Sequence, residues 1–354
     1  MNKIIYEDCL DIIKNMDYEK LRNKSFLITG ASGMLGSYIS YVLKVLNDEF
    51  NMNIHIILNV RDKNKLSEEL LNDHNVELII QDVINPFNYD GNIDYIVHAA
   101  SPASPKIMTL HPFETNIANT IGTYNTLMLA KEKNVLGYLF ISSREVYGEP
   151  IDSDYFREDG MLGYVNPLVP RNSYAEGKKA AENMCVCMKD EYGINTKIVR
   201  LAHTYGPGMS INDGRVQADF LKNVINHEDI IMKSEGASIR TYTYVADAVS
   251  GIFKVLLSSK DIVYNIADDT EISIKELAEV LVGLSNNQSK LVIKIDNSLK
   301  KGSASFTKGI LSNEKIKNEL GWTPKYNVHD GFLRTIEYLK EDVLCNTKVM
   351  MKKH

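Results

Sequence analysis

The sequence contains little cysteine, and its cysteines form no recognisable framework. Its 354 residues include four of them, Cys9, Cys185, Cys187 and Cys345, whose spacing fits neither a disulfide scaffold nor a metal site. The eight histidines also lack the HExxH pattern or a comparable ligand spacing. We therefore expect no bound metal, plain core thiols at Cys185 and Cys187, and a reducing, cytoplasmic location.

Long apolar runs and an excess of positive charge are missing as well. No apolar stretch approaches the ~20 residues that a bilayer-spanning helix needs, and the N-terminal segment mixes both charge signs without the apolar core of a signal peptide. The formal net charge is −6, so no general positive field favours nucleic acid or an anionic membrane surface. We expect neither of these partners, and an anionic substrate would have to be bound by a few local arginines.

The sequence does contain a regular alternation of short apolar strands and longer amphipathic helices. The predicted strands are residues 25–30, 54–60, 76–83, 94–100, 138–143 and 196–202. Strands that are apolar nearly throughout and are separated by helices are typical of a parallel sheet covered on both faces. The predicted fold class is α/β, a Rossmann-type doubly wound parallel sheet with a smaller C-terminal substrate-binding lobe.

The chain divides into three predicted segments. Residues 1–23 have the pattern of an amphipathic helical arm. Residues 24–205 are expected to form a dinucleotide-binding domain, to which segments from the C-terminal half return. From residue 206 the pattern changes to a polar, glycine-rich loop and short elements, so residues 206–345 are expected to form mainly the substrate-binding lobe.

A GxxGxxG motif, formed by Gly30, Gly33 and Gly36, follows the first predicted strand and opens a predicted helix. The first glycine permits a tight turn, the second lets the backbone approach a pyrophosphate, and the third allows close packing of helix and strand. The helix N-terminus then offers N–H donors to phosphates. The motif predicts a dinucleotide site that includes Gly30, Ser32, Gly33, Met34, Leu35 and Gly36.

The end of the second strand leaves the choice between NAD and NADP open. An acidic residue usually binds the adenosine ribose of NAD there, but Arg61 occupies that position and Asp62 follows it. Arg61 could pair with the 2′-phosphate of NADP, stack on adenine, or be a solvated surface residue. Asp82, at the end of the third strand, is a candidate for the adenine edge or for a loop cap.

Tyr174 and Lys178 form a YxxxK motif at the start of a predicted helix. Residues four apart share a helix face, so the ammonium of Lys178 should lie near Tyr174, lower its pKa and make it a general acid–base. Ser143, at the end of the preceding strand, could polarise the same substrate oxygen. Together with a dinucleotide fold, these three residues predict hydride transfer at a carbinol carbon; the alternative for Tyr174 is a structural tyrosine with its hydrogen bonds satisfied.

Further motifs carry a resemblance to a known family. They are HAASPASP at 98–105, NTIGT at 119–123, SREVYG at 143–148, YAEGK at 174–178, TYGP at 204–207, NDGRV at 212–216 and RTYTYVAD at 240–247. With them the chain resembles the extended short-chain dehydrogenase/reductase (NAD-dependent epimerase/dehydratase) family over roughly residues 24–340. Within that family it is most similar to the UDP-glucuronate decarboxylases.

The resemblance implies roles for particular residues. Ser143, Tyr174 and Lys178 would be the hydride-transfer triad, and Glu145 would lie beside C5 and C6 of the sugar. Further cofactor contacts would come from Arg61, Asp82, Val83, Ala99, Ala100, Ser101, Asn119, Leu201 and His203. Substrate contacts would come from Pro102, Arg144, Glu145, His203, Arg215 and Arg240, the arginines acting as charge-assisted donors.

The chain departs from the decarboxylase pattern at three positions. Arg144 stands where decarboxylases usually have serine and dehydratases have an aspartic acid, while His203 and Gly208 stand where asparagine and arginine are expected. Arg144 cannot supply the carboxylic acid of a dehydratase. It could pair with Glu145, bind a substrate carboxylate or phosphate, or point away from the site.

The predicted function is modification of a nucleotide sugar, as in a UDP-glucuronate decarboxylase: oxidation at C4 with bound NAD (NADP possible), chemistry at C5 and C6, and return of the hydride. The alternatives are a 4-epimerase, a 4,6-dehydratase or a 4-oxidoreductase of the same fold and, from a different class, a non-catalytic dinucleotide-sensing protein. Helices near 114–133 and 174–192 carry broad apolar faces, and the resemblance implies a homodimer through a four-helix seam.

Overall fold

The computed structural model describes residues 1–150, 155–160, 162–295 and 308–351, with side chains described as far as residue 341. In this part of the chain the helices are α1 (Lys3–Lys14), α2 (Met34–Phe50), α3 (Glu68–Leu71), α4 (Pro105–Leu110), α5 (Pro112–Lys133), α6 (Ser173–Tyr192), α7 (Val216–Ile225), α8 (Val245–Ser258), α9 (Ile274–Leu284), α10 (Glu314–Leu320) and α11 (Val328–Met351). None of the helices in the described ranges is long and apolar enough to cross a membrane.

The strands alternate with these helices along the first two thirds of the chain. They are β1 (Ser25–Thr29), β2 (His55–Val60), β3 (Val76–Ile80), β4 (Tyr95–His98), β5 (Gly137–Ser143), β6 (Tyr155–Phe156), β7 (Thr196–Leu201), β8 (His203–Tyr205), β9 (Ile230–Met232), β10 (Ile239–Tyr244), β11 (Val263–Ile266), β12 (Glu271–Ser273), β13 (Leu291–Ile293) and β14 (Ile310–Leu311).

Seven parallel strands form the central sheet in the order β3-β2-β1-β4-β5-β7-β11. The predicted α/β fold class is therefore confirmed, because each of the six predicted strands lies in this sheet. The seventh, β11, returns from the C-terminal half and pairs with β7. The chain leaves β1 toward β2 on one side and β4 lies on the other, so a crevice opens where the strand order reverses.

Burial explains why the strands and the first helix form where they do. The central strands β1, β4 and β5 are buried almost throughout, as expected for a sheet covered on both faces. Helix α2 packs one apolar face against the sheet, and Asn51 in a left-handed conformation ends it. Burying a side chain the size of leucine or isoleucine contributes roughly 1.5–3 kcal/mol, so this layer holds the glycine-rich turn before α2 firmly.

The N-terminal segment is helical, as its amphipathic pattern predicts. Helix α1 buries Ile5, Cys9, Ile12 and Ile13 in the main core, in contact with α2 and α8. The carboxylate of Asp8 is buried beneath this helix and accepts hydrogen bonds from Tyr38, Tyr244 and Arg334. The arm is thereby fastened to α2, β10 and α11.

The C-terminal half adds small sheets beside the carboxyl edge of the central sheet. Strand β10 lies between β8 and β12, β9 pairs with β13, and β6 pairs with β14. The loop at 206–215 leaves β8 and leads into α7. This arrangement places residues 203–217 opposite the loops that follow β1, β4 and β5.

Candidate active site

A cleft of about 680 Å³ opens along the carboxyl edge of the central sheet. Its walls are the turn after β1, the loop after β4, the turn after β5, the first turns of α6, the end of β7 and the loop that enters α7. The carboxyl ends of parallel strands converge at this edge, which is where ligands bind in folds of this class.

The glycine-rich turn is built so tightly that side chains are excluded at two of its positions. Gly30 has a φ of +67°, and a Cβ there would lie 2.7 Å from the Cα of Ala100. A Cβ on Gly36 would collide with the carbonyl oxygen of Gly30. At Gly33 a Cβ would meet only that same carbonyl oxygen, at 3.3 Å, so this face of the turn is open toward the cleft.

The first N–H groups of α2 are available to a ligand. The first four amides of a helix have no partner inside the helix, and Gly33, at the N-cap, supplies no side-chain hydrogen bond to them. Met34, Leu35 and Gly36 line the cleft at this point. The residues therefore fit a diphosphate, which helix N-termini bind through their N–H groups and dipole.

The predicted cofactor residues fall into two groups in the structure. Those that line the cleft are Gly30, Ser32, Gly33, Met34, Leu35, Gly36, Ala99, Ser101, Tyr174, Lys178, Leu201 and His203. Those outside its lining are Arg61, Asp82, Val83, Ala100 and Asn119. Asn119 contacts a residue of the lining, because the hydroxyl of Ser101 donates to its Oδ1 at 2.8 Å.

The residues after β2 and β3 are held by their own neighbours. Arg61 is 74% exposed and lies 3.7 Å from the carboxylate of Asp82. Asp82 accepts from the amide of Ile84 at 3.2 Å, which is the loop-cap arrangement. The side chain of Asp62 accepts from the amide of Asn64 at 3.0 Å and caps the turn that follows. The contacts of these residues with the cofactor stay predictions.

The three residues of the predicted triad come together at the floor of the cleft. Ser143 is the last residue of β5 and lies close enough to Tyr174, at the start of α6, for its hydroxyl to lower the pKa of the phenol. Lys178 lies one turn further along α6, is 2% exposed, and places its Nζ 5.8 Å from the centre of the Tyr174 ring. That ammonium donates to the carbonyl oxygen of Ile141 on β5 at 2.7 Å.

The expectation that Lys178 lowers the pKa of Tyr174 is wrong for this structure. Burial, followed by the negative charge of Glu145, raises the pKa of Tyr174 to about 12, and these effects outweigh the hydrogen bond from Ser143 and the charges of Arg215 and Arg171. Burial also lowers the pKa of Lys178 to about 7. The phenol is thus protonated at neutral pH and can act first as a hydrogen-bond donor.

Glu145 is bound by an arginine that the sequence did not single out. Arg171, in the short turn before α6, donates from Nη1 to Oε2 at 3.0 Å and from Nη2 to Oε1 at 3.1 Å. Sequence reasoning considered Arg144 as the partner of Glu145. No motif contains Arg171, and only the tertiary structure brings the Pro170–Asn172 turn beside the end of β5.

Arg144 lines the cleft rather than pointing away from it. It is partly buried, with its guanidinium carbon 6.0 Å from the centre of the Phe156 ring. Burial and the nearby charge of Arg240 lower the pKa of Arg144 to about 10, which leaves it cationic at neutral pH. A cation therefore stands beside Ser143 and Glu145.

A cationic cluster surrounds His203 on the substrate side of the cleft. Burial, followed by the charges of Arg144, Arg240 and Arg215, holds the pKa of His203 well below its usual range, so the imidazole is neutral. Arg240 is not part of the cleft lining, and its Nη1 donates to the carbonyl oxygen of Ile239 at 2.7 Å. A neutral imidazole among three guanidinium groups is an environment suited to an anionic ligand.

Two of the family motifs, SPASP at 101–105 and NDGRV at 212–216, meet across the cleft. The hydroxyl of Ser104 donates to the carbonyl oxygen of Asp213 at 2.8 Å, and Nη2 of Arg215 donates to that of Ala103 at 2.7 Å. Pro102 precedes these contacts and is not in the lining itself. Gly208 lies beside the start of α2, because a Cβ added to it would be 3.8 Å from the Cα of Met34.

Gln217 is a second residue of the cleft that sequence reasoning missed. It lies in the first turn of α7, is 1% exposed, and its Nε2 has no hydrogen-bond partner within the described part of the chain. A buried amide without a partner costs about 1–3 kcal/mol, which a bound ligand could recover. Nothing in the sequence distinguishes this glutamine from a surface residue, because its burial depends on the loop that precedes it.

The two cysteines of α6 differ in their burial. Cys185 is buried, but Cys187 is exposed, so the prediction of a core thiol is wrong at Cys187. The physical reason is that two successive steps along α6 turn the side chain from the inner to the outer face. The side chain of Cys345 lies outside the described residues. Within the described ranges no cluster of histidine, cysteine, aspartate or glutamate could hold a metal ion.

Comparison with known proteins gives consistent matches. The model of the NAD dependent epimerase/dehydratase family matches residues 26–267. UDP-glucuronic acid decarboxylase 1 from Xenopus tropicalis is 32% identical over 323 residues, which cover 90% of this chain and 73% of that protein.

Two solved structures share the fold. The UDP-glucose 4-epimerase of Thermotoga maritima, solved with UDP-glucose, superposes with a TM-score of 0.76 at 23% identity, covering 90% of this chain and 99% of that one. The UDP-glucuronic acid 4-epimerase of Bacillus cereus, solved with UDP-glucuronic acid and NAD, gives a TM-score of 0.74 at 20% identity, with the same coverage of 90% and 99%.

Proposed function

The chain belongs to the NAD dependent epimerase/dehydratase family, and from that premise we propose that it decarboxylates UDP-glucuronate to a UDP-pentose. The family makes it an NAD-dependent nucleotide-sugar enzyme. The observation that carries the proposal is a single cleft that unites Ser143, Tyr174 and Lys178 with cationic side chains suited to an acidic sugar nucleotide. The 32% identity to a UDP-glucuronic acid decarboxylase supports the choice of reaction.

The cofactor would be held by residues 24–205 together with the returning strand β11. The substrate would be held mainly by residues 206–345, of which 296–307 lie outside the described residues. Gly30, Gly33 and the amides of Met34 and Leu35 would hold the diphosphate of NAD. When bound, NAD takes a hydride from a carbinol carbon and returns it. The tight packing of Gly30 and Gly36 and the open face at Gly33 support this assignment.

Tyr174 would exchange the proton of the sugar C4 hydroxyl. Ser143 and Tyr174 both line the cleft, and Ser143 is near enough to affect the pKa of the phenol, so both hydroxyl groups could contact one substrate oxygen. Oxidation would require the phenolate form of Tyr174, which would take the proton of the C4 hydroxyl while the hydride leaves C4 for the cofactor. Lys178, fixed by the carbonyl oxygen of Ile141, would stabilise that phenolate with its positive charge. Oxidation at C4 makes the C6 carboxylate part of a β-keto acid, so carbon dioxide leaves and one proton is taken up at C5.

The arginines would divide the substrate's negative charges between them. Arg215 lies at the N-terminus of α7 beside Gln217, and we assign both to the nucleotide and diphosphate. Arg144 follows Ser143 of the triad in the chain. It lies close enough to Arg240 for the charge of Arg240 to lower the pKa of Arg144. We assign this pair to the sugar acid, with Pro102 and His203 completing the wall.

A second candidate is 4-epimerisation of the same acidic substrate, and Arg144 is the observation that favours it. A cation that pairs with the C6 carboxylate stabilises the ionised acid more than the departing neutral carbon dioxide, so it opposes decarboxylation. Glu145, which Arg171 holds through two hydrogen bonds, would take the same position beside the sugar in both reactions. The two candidates share the triad and differ only in the product.

Mass spectrometry of the purified protein with UDP-glucuronate and excess NAD tests the proposal. We expect a product lighter by carbon dioxide, with the cofactor oxidised at the end of the reaction. An isomer of unchanged mass that separates from the substrate by chromatography would establish the 4-epimerase, and a keto product with stoichiometric NADH would establish a 4-oxidoreductase. Unchanged turnover by Tyr174→Phe would overturn the hydride mechanism, and absence of any product would overturn the choice of substrate.

We also propose that the protein is a cytoplasmic homodimer. Helices α5 and α6 pack on each other, with a Cβ on Gly177 only 3.0 Å from the Cβ of Asn119. Exposed apolar side chains on these helices are Ile121, Tyr124 and Met128 on α5 and Val186 on α6, and subunit interfaces cover surfaces of this kind. The described cysteines are all free thiols, which suits a reducing compartment.

A further inference from the structure

The carboxylate of Glu182 lies directly behind the triad. Its side chain is buried, with 8% exposed. Glu182 lies four residues after Lys178 on α6, so the two side chains share one face of the helix. Its Oε1 accepts from the hydroxyl of Ser142 at 2.5 Å and from Nε of Arg200 at 3.0 Å, and its Oε2 accepts from Nη2 of Arg200 at 2.7 Å. Glu182 is not part of the cleft lining.

This one carboxylate connects the three elements on which the triad is built. Ser142 precedes Ser143 on β5, Glu182 follows Lys178 on α6, and Arg200 lies on β7. Strands β5 and β7 pair side by side, with Ser142 opposite Arg200. A buried charged pair needs such complete hydrogen bonding, because desolvating two charges is expensive.

Lys178 has little else to stabilise its positive charge. Its Nζ donates to the carbonyl oxygen of Ile141 at 2.7 Å and lies 4.5 Å from the centre of the Phe140 ring. The titratable groups that face it from neighbouring elements are His98 on β4 and, on its own helix, Tyr174, Glu182 and Cys185.

Of these groups only Glu182 is an anion that can balance the ammonium. Burial lowers the pKa of His98 to about 3, so its imidazole is neutral, and burial raises the pKa of the Cys185 thiol. Tyr174 is a neutral phenol by the same argument. The negative charge of Glu182 opposes the effect of burial on the pKa of Lys178.

Arg200 in turn pairs directly with Glu182. It donates two hydrogen bonds to the carboxylate, and its guanidinium carbon lies 4.7 Å from the centre of the Tyr147 ring. Tyr147 belongs to the Arg144–Tyr147 turn, which also carries Glu145. A buried carboxylate is costly unless it is paired and hydrogen-bonded, and Arg200 supplies that pairing.

We propose that Glu182 is a positioning residue. Its hydrogen bonds with Ser142 and Arg200 hold α6 against β5 and β7, and its negative charge, on the same helix face as Lys178, favours the charged form of that lysine. The consequence for turnover rests on the proposed function, because it requires Lys178 to act in hydride transfer. The charge relation between Lys178 and Glu182 does not depend on any substrate.

The test is an NMR titration of the protein labelled with ¹³C at the lysine Cε, with Lys178→Arg identifying the Lys178 signal. In the parent protein Lys178 should titrate near pH 7, in line with its pKa of about 7. Glu182→Gln removes one negative charge near the ammonium, so we expect the midpoint to fall by about one unit or more. Glu182→Asp keeps the charge and should return most of that shift.

The control is Glu191→Gln, which removes an exposed carboxylate from the same helix and should leave the Lys178 midpoint in place. Should Glu182→Gln fail to fold, the double variant Glu182→Gln/Arg200→Gln removes both buried charges together and should show the same downward shift. The proposal would be overturned by a Lys178 midpoint that stays within about 0.3 units of the parent in folded Glu182→Gln or in the double variant, where a fall of roughly one unit is expected.

The pH dependence of kcat provides a second test. The alkaline limb of the kcat profile should move to lower pH in Glu182→Gln by the same amount as the NMR midpoint, because Lys178 then loses its proton more easily. A uniform loss of kcat without movement of that limb would assign Glu182 a structural role only. If the parent protein does not act on UDP-glucuronate, the proposed function fails while the titration still decides the relation between Glu182 and Lys178.

Discussion

Arg171 binds both carboxylate oxygens of Glu145 through two parallel hydrogen bonds of 3.0 and 3.1 Å. The arginine stands 26 residues further along the chain, in the turn that leads into the helix bearing Tyr174 and Lys178. The pair therefore ties the turn after β5 to the start of α6, across the floor of the cleft. Glu145 is held in one orientation toward the region where the substrate would lie.

Arg171→Lys should lower kcat/KM by about 10- to 100-fold, because a lysine cannot make the bidentate contact and a hydrogen bond to a charged group is worth about 1.5–3 kcal/mol. Steady-state kinetics measure this loss. The control is Arg157→Lys, which alters an exposed arginine paired with Glu314 at 3.4 Å and should change kcat/KM less than twofold. Equal effects of the two substitutions would contradict a special role of Arg171.

Arg144→Ala should weaken binding of UDP-glucuronate more than binding of UDP-glucose. The expected difference is about tenfold or more, as for one charge-assisted contact to the sugar acid. Isothermal titration calorimetry with NAD present measures both affinities. Equal losses for the two ligands would show that Arg144 contacts the nucleotide or diphosphate and not the carboxylate.

Gly30→Ala and Gly33→Ala should separate folding from cofactor binding. Gly30 is in a left-handed conformation against the backbone of Ala100, so alanine should lower the free energy of unfolding by more than ~1 kcal/mol. Gly33 has a negative φ and one contact at 3.3 Å, so alanine there should affect stability less but weaken NAD binding. Thermal unfolding and NAD titration of both variants, with Gly193→Ala for comparison, check this.

Asp247 should make stability fall as the pH rises through the acidic range. Its buried carboxylate accepts from the amides of Lys325 and Tyr326, both at 2.9 Å, yet burial raises its pKa to about 7. The folded protein therefore binds a proton that the unfolded chain, with a pKa near ~3.9, releases earlier. The free energy of unfolding should decline between about pH 4 and pH 7 and level off above.

Asp247→Asn should flatten this decline, because the amide carries no charge at either pH. The variant should also be less stable by about 1–3 kcal/mol at low pH, since the NH2 group of asparagine cannot accept the second backbone N–H, whereas the hydroxyl oxygen of the protonated acid can. Denaturant unfolding at a series of pH values measures both effects, with Asp190→Asn on the exposed face of α6 as the control. A decline as steep as that of the parent would assign it to other groups.

Tyr124→Asp should convert the proposed homodimer into a monomer. The tyrosine is 52% exposed on the outer face of α5, and a charge buried at the centre of a subunit interface costs several kcal/mol. Light scattering after size-exclusion chromatography measures the mass, and circular dichroism checks that the fold persists. A parent protein that is already monomeric would contradict the proposed seam.

The sequence by itself determined the fold class and most of the floor of the cleft. The apolar strands, the glycine turn at Gly30 and the YxxxK spacing of Tyr174 and Lys178 are local patterns, and local patterns follow from the periodicities of strands and helices and from the conformational freedom of glycine. Because the carboxyl ends of parallel strands meet at one edge, Ser143 had to lie near the start of the helix that follows β5.

Only the tertiary structure decided which charges meet and which are buried. The ion pair of Arg171 with Glu145 and the contact of Glu182 with Arg200 join residues that no short motif connects. The buried amide of Gln217 has no partner among the described residues, and its burial also depends on the tertiary structure. The pKa of Tyr174 was misjudged for the same reason, because it depends on burial and on Glu145 more than on the lysine four residues away. Electrostatic effects depend on distance and desolvation in three dimensions, and neither can be read from the order of residues along the chain.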